Sequence, residues 1–132
     1  MTLSSRIHAI IDYILAAFLF ISPALFALPY TSSVVVYGLA IIHLVLTICT
    51  NFKYALVKFI PPKIHGLVEL AASVLLVPAA FYLKNIDGYF SWYFCLGLAI
   101  LLFIFWLFSD YTNKPSTREI PYVESNTDGG LI

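Results

Sequence analysis

Apolar residues fall in four long runs separated by short polar stretches, and this rhythm predicts the elements before anything else is considered. The runs cover residues 7–28, 33–50, 64–83 and 89–109. Each is near the ~20 residues that cross ~30 Å of hydrocarbon at ~1.5 Å per residue, so each predicts a transmembrane helix. None alternates apolar and polar positions as a barrel strand does, and four strands cannot close a barrel. The connections at 28–32 and 84–88 are short, which makes neighbouring helices antiparallel. Residues 51–63 mix Phe52, Tyr54, Leu56, Val57, Phe59 and Ile60 with Lys53 and Lys58, the pattern of a short helix lying on the membrane surface, ended by Pro61-Pro62. The expected fold is all-α: a polytopic membrane protein with a four-span bundle in residues 1–111. A polar tail over 112–132 has no apolar periodicity and is expected to be disordered.

Composition narrows the setting. Of 132 residues, 61% are hydrophobic and only 11% charged, too few to cover a water-soluble domain of this size. A lipid bilayer is the solvent that fits. Seven Lys plus Arg balance seven Asp plus Glu, so there is no basic field to attract nucleic acid. Arg6, Lys53, Lys58, Lys63, Lys114 and Arg118 fall on one side of the four-span arrangement and Lys84 on the other, which orients both termini toward the cytoplasm. Tyr30, Tyr82, Tyr89, Trp92 and Tyr93 then gather at the outer boundary, and Tyr13, Tyr54, Trp106 and Tyr111 nearer the inner one, where headgroups favour such rings. Arg6 ahead of an apolar run imitates a signal peptide. His8 and Asp12 interrupt that run, however, and the same segment recurs in mid-chain, so it reads as a retained span. Cys49 and Cys95 are expected about a membrane thickness apart, as unpaired small hydrophobes.

The recurrence is an internal duplication. Arg6-Ile7-His8-Ala9-Ile10-Ile11-Asp12 returns as Lys63-Ile64-His65-Gly66-Leu67-Val68-Glu69, 57 residues later. Pro23-Ala24-Leu25-Phe26-Ala27-Leu28 matches Pro78-Ala79-Ala80-Phe81-Tyr82-Leu83. At an offset of 59, Gly38-Leu39-Ala40-Ile41 reappears as Gly97-Leu98-Ala99-Ile100, and Thr50-Asn51-Phe52 as Ser109-Asp110-Tyr111. Four matches in one order predict two tandem helical-hairpin repeats, residues 6–52 and 63–111. Each holds two spans, so both enter the membrane in the same direction, a parallel repeat about an axis along the membrane normal.

This pattern resembles the SPW-repeat family of small bacterial membrane proteins, whose unit is a pair of transmembrane helices with Ser-Pro-Trp near the end of the first. Here the triplets are Ser22-Pro23-Ala24 and Val77-Pro78-Ala79: neither keeps the tryptophan, and the second lacks the serine. The resemblance covers nearly everything from Arg6 to Tyr111. It implies a multi-pass protein of the bacterial cytoplasmic (inner) membrane and supplies no catalytic residue.

Ionisable residues inside the spans carry the candidate chemistry. His8 and Asp12, and likewise His65 and Glu69, are four apart and share a helix face. Turned toward each other, two imidazoles and two carboxylates suit a zinc, iron or manganese ion, or equally a proton site. They also suit plain packing, each acid holding its own histidine or a basic residue across the repeat interface. His43 has Leu102 as its counterpart and needs a partner, for which Asp12 or Glu69 lies at a similar depth. Haem ligation by His43 with another histidine ranks last. Pro23 and Pro78 should kink their helices. Gly38 with Ala40, and Gly97 with Ala99, should let helices approach closely.

No phosphate loop, His-Glu-x-x-His, Cys-x-x-Cys or serine elbow is present, so an enzyme is not expected, nor is a cofactor. The first functional expectation is a non-enzymatic membrane protein that self-associates as a homo-oligomer or serves a larger membrane complex. The second is a proton-linked or metal-ion-handling membrane protein using His8, Asp12, His43, His65 and Glu69.

Overall fold

The computed structural model describes residues 4–50 and 59–109, the side chain of Ser5 excepted. Four helices occupy this stretch: α1 (Ser5–Leu25), α2 (Tyr30–Cys49), α3 (Pro62–Asp87) and α4 (Tyr89–Phe108). Each is long and apolar enough to cross a membrane. Consecutive helices pack against one another, α1 on α2, α2 on α3 and α3 on α4. The surface helix expected over 51–63 falls mostly on residues 51–58, and the tail on 112–132; both lie outside the described residues.

Local chemistry sets the helix ends. Ser4 caps α1, its hydroxyl accepting from the Ile7 N–H at 3.3 Å, which satisfies one of the donors that a helix start leaves open. α1 ends at Leu25, three residues short of the expected span, because Ala27 takes a left-handed φ of 50° and the Leu28 N–H turns back to the Pro23 carbonyl at 2.9 Å. α3 begins at Pro62, two residues earlier than expected. Pro61-Pro62 therefore opens α3: a proline in the first turn lacks only an N–H that has no helical partner there.

The other end of α3 corrects the expected turn at 84–88. Lys84, Asn85 and Asp87 continue the helix, and the whole connection to α4 is Gly88, at φ 97°. Polar residues read as a loop in sequence are good enough helix formers to add a last turn, and only glycine takes that backbone conformation cheaply. The extra turn delivers Asp87 to α2. Its Oδ2 accepts from the Ser32 N–H at 2.6 Å and from the Ser32 hydroxyl at 2.5 Å, so one helix end caps the start of another.

The interior is narrow and the exterior greasy. Facing inward are Ala9, Ala16, Ala40, Ala80 and Ala99, with Ser22, Ser32, Ser73 and Ser91, around Leu19, Val36, Leu76, Leu83, Cys95, Leu98 and Leu102. Facing outward are Ile14, Ile21, Leu25, Val74, Leu75, Ile100 and Leu107. Small residues bring helices close where lipid removes the hydrophobic drive to associate, and hydroxyls such as Ser73, which donates to the Ala99 carbonyl at 3.0 Å, tie them across. Ala40 and Ala99 are in this core as expected. Gly38 and Gly97 are not: among the described residues a Cβ at either would meet nothing within 4 Å, so their lack of a side chain serves no close approach between these four helices. Pro23 and Pro78 both lie inside their helices. Both cysteines are free.

Candidate functional site

Five ionisable side chains converge at the end of the bundle where α1 and α3 begin and α2 and α4 finish. His8 and Asp12 come from the first turns of α1, His65 and Glu69 from the first turns of α3, and His43 from α2. All five are 0–4% exposed. The faces marked out by four-residue spacing thus point into the bundle, as ionisable groups within a membrane span should.

Asp12 is the hub. Its Oδ2 lies 3.2 Å from His8 Nε2 and 3.1 Å from His65 Nε2, and its Oδ1 lies 3.5 Å from His43 Nε2. Among the described residues neither Asp12 oxygen has a hydrogen-bond partner. His43 therefore lies within ion-pair distance of the expected carboxylate without a hydrogen bond to it. Asp12 lies beside its own His8, and Glu69 also reaches His8, with Oε2 3.8 Å from its Nε2. One ligand atom from each of His8, Asp12, His65 and Glu69 can be chosen so that all four lie within 4.8 Å of one another.

Two hydroxyls and a ring complete the surroundings. Thr50, which caps the end of α2, lies 2.8 Å from His65 Nδ1, and Ser109, which caps the end of α4, lies 2.6 Å from His8 Nδ1. The Phe105 ring stacks on His8 with centroids 4.5 Å apart and planes 8° from parallel. Beyond Phe105 an apolar groove of about 380 Å³ opens between α1 and α4, lined by Ile11, Leu15, Leu101, Ile104, Phe105 and Phe108. The ring thus separates the polar cluster from the greasy exterior.

No family model, curated protein or solved structure matches this chain. What the cluster can do follows from its own chemistry. His8 Nε2 and His65 Nε2 are 3.5 Å apart, with a carboxylate oxygen beside both, which leaves no space for a macrocycle between them and disfavours a bis-histidine haem at this pair. The space between these atoms suits a small cation.

Thr50, Ser109 and Phe105 were not among the residues singled out from sequence. The signal for two of them was present, since Thr50 and Ser109 are the hydroxyl residues that coincide at the offset of 59. Phe105 is one of eleven phenylalanines in a greasy chain and carried none.

The aromatic residues Tyr30, Tyr82, Tyr89, Trp92 and Tyr93 gather at the opposite end of the bundle. Tyr30, Tyr82, Tyr89 and Tyr93 are exposed there, and Lys84 places its ammonium 4.5 Å from the Trp92 ring and 5.2 Å from that of Tyr89. Such cation-π contacts suit a side chain that must hold its charge at a membrane boundary.

Proposed function

We propose that this protein is a multi-pass membrane protein whose task is to bind and handle a cation, a metal ion or a proton, within its helical bundle. The observation that carries the reading is the convergence of Asp12 and Glu69 with the imidazoles of His8, His65 and His43 in a fully buried cluster. Packing alone is a poor reason for it. The rest of this interior is filled mostly by Ala, Ser and Leu, with Val36, Cys95, Thr47 and Thr50, whereas buried ionisable groups cost free energy and yield only ~0.6 kcal/mol per interhelical hydrogen bond in return. A cation among two carboxylates offsets that cost.

Two tandem hairpins of the SPW-repeat type form part of the same proposal. Support comes from the matched openings at His8 and His65, and from the corresponding burial of Asp12 with Glu69, Leu19 with Leu76 and Ala40 with Ala99. Placement in a bacterial inner membrane with both termini cytoplasmic rests on that resemblance and on the distribution of basic residues. Self-association, or a place in a larger membrane complex, is a companion proposal, tested by the mass of the particle in mild detergent.

The cation reading is tested by making Asp12→Asn and Glu69→Gln together, changes that keep shape and remove charge. Reconstituted in vesicles with dyes for protons and for zinc, the wild type should take up or release one of these cations. The double variant should fold and lack that signal. A variant that behaves as the wild type does, or one that fails to fold at all, assigns the carboxylates to structure instead.

A further inference from the structure

The two hydroxyls decide which nitrogen of each imidazole faces the cluster. Thr50 donates its one hydrogen to the Leu46 carbonyl at 2.5 Å, and Ser109 donates its own to the Phe105 carbonyl at 2.6 Å. A hydroxyl has a single hydrogen to give, so toward the imidazoles both oxygens accept. Nδ1 of His65 and Nδ1 of His8 are therefore the nitrogens that carry hydrogen. In a neutral ring the other nitrogen, Nε2, is then a bare lone pair. Both bare nitrogens point into the cluster, toward each other and toward Asp12 Oδ2.

With both rings neutral, these lone pairs repel one another and the Asp12 carboxylate. The Nε2 atoms are 3.5 Å apart, beyond the ~2.7–3.2 Å of a good N–H hydrogen bond, so one shared proton holds them poorly. The same spacing is right for two ligands of one ion. Ligand atoms ~2.05 Å from a tetrahedral centre are separated by ~3.4 Å. Here four of the six separations within the set run from 3.1 to 3.8 Å, and all six lie within 4.8 Å.

On the reading of this cluster as a cation site, we propose that its ligand is a divalent d-block ion of the zinc class. It is bound by Nε2 of His8, Nε2 of His65 and one oxygen each from Asp12 and Glu69, with Thr50 and Ser109 as positioning residues. Charge and chemistry agree. Two carboxylates and two neutral imidazoles around a divalent ion sum to zero, the state a low-dielectric interior tolerates best. Imidazole nitrogen favours zinc, iron or cobalt over the magnesium and calcium that all-oxygen sites select. A ligating histidine whose second nitrogen donates to a fixed acceptor is also the usual arrangement around such ions. Here the acceptors are helix-capping hydroxyls, each anchored one turn back on its own helix, so ring orientation is built into the ends of α2 and α4.

The test uses full-length protein in detergent, with Co²⁺ as a visible probe and Zn²⁺ as its competitor. One Co²⁺ per chain should bind with a tetrahedral ligand-field spectrum and be displaced by Zn²⁺, but not by Mg²⁺ or Ca²⁺. Thr50→Val and Ser109→Ala should each weaken Zn²⁺ binding by ~10–100-fold and alter the Co²⁺ spectrum, while Thr50→Ser and Ser109→Thr restore both. If Thr50→Val and Ser109→Ala, folded by circular dichroism, bind with wild-type affinity and spectrum, the positioning role is overturned. If the wild type binds neither metal but shows proton uptake dependent on Asp12 and Glu69, the metal assignment fails and the cation reading stands. If neither cation binds, both fail.

Discussion

Asp87→Asn is the sharpest test of how the far end of the bundle is closed. The wild-type carboxylate accepts two bonds on one oxygen, from the Ser32 N–H at 2.6 Å and from the Ser32 hydroxyl at 2.5 Å, and so caps α2 from the end of α3. Hydrogen bonds to a charged group contribute ~1.5–3 kcal/mol each, and loss of a helix N-cap alone costs ~0.5–2 kcal/mol. Asparagine keeps one acceptor and loses the charge, so the expected destabilisation is ~1–2 kcal/mol. Reversible unfolding in mixed micelles, followed by Trp92 and Trp106 fluorescence, reads it. A double-mutant cycle with Ser32→Ala should return a coupling of ~1 kcal/mol, because the two residues touch. An unchanged unfolding midpoint in Asp87→Asn, or zero coupling, would refute the cap.

Three further outcomes follow from the packing. Ala99→Leu should destabilise by ~1–3 kcal/mol, since its side chain meets a filled interior, whereas Gly97→Ala, whose new Cβ meets open space, should be neutral or gain up to ~1 kcal/mol of helix propensity. The same micelle unfolding assay separates the two. Gly88→Ala should cost ~1–2 kcal/mol, because the one-residue link between α3 and α4 has φ 97°, and proteolysis at that turn should rise. Asp12→Asn alone should lower Zn²⁺ affinity more than either hydroxyl variant, because it removes a ligand rather than a ligand's support; isothermal titration gives the comparison.

The fold was readable to the degree that it depends on hydrophobic length. Four apolar runs became four helices because the bilayer sets a minimum span and short links force neighbours together. The misplaced ends have a local cause. Lys84, Asn85 and Asp87 look like loop residues by polarity, yet the last turn of a long helix carries polar residues readily, and it was Gly88 that fixed where it stopped. The glycines were misjudged for a related reason: a small residue says that a close approach is possible, not that a partner lies on that side.

Spacing went far for the site. Residues four apart share a face, so His8 with Asp12 and His65 with Glu69 were legible as pairs. Which way those faces turn depends on how the helices rotate against one another, and that lies in contacts among residues far apart in sequence. Thr50 and Ser109 show the limit well. The shared offset of 59 marked them as a matching pair, but a hydroxyl at a helix end has many uses, and only the distance to an imidazole nitrogen distinguishes this one.

On the proposed reading His8, Asp12, His65 and Glu69 form one cation site, and X-ray absorption at the zinc edge of the Zn²⁺-loaded protein shows whether they do. The prediction is two imidazole nitrogens and two carboxylate oxygens at ~2.0–2.1 Å, with no sulfur. A sulfur shell from Cys49 or Cys95, or a shell of water oxygens alone, would contradict it.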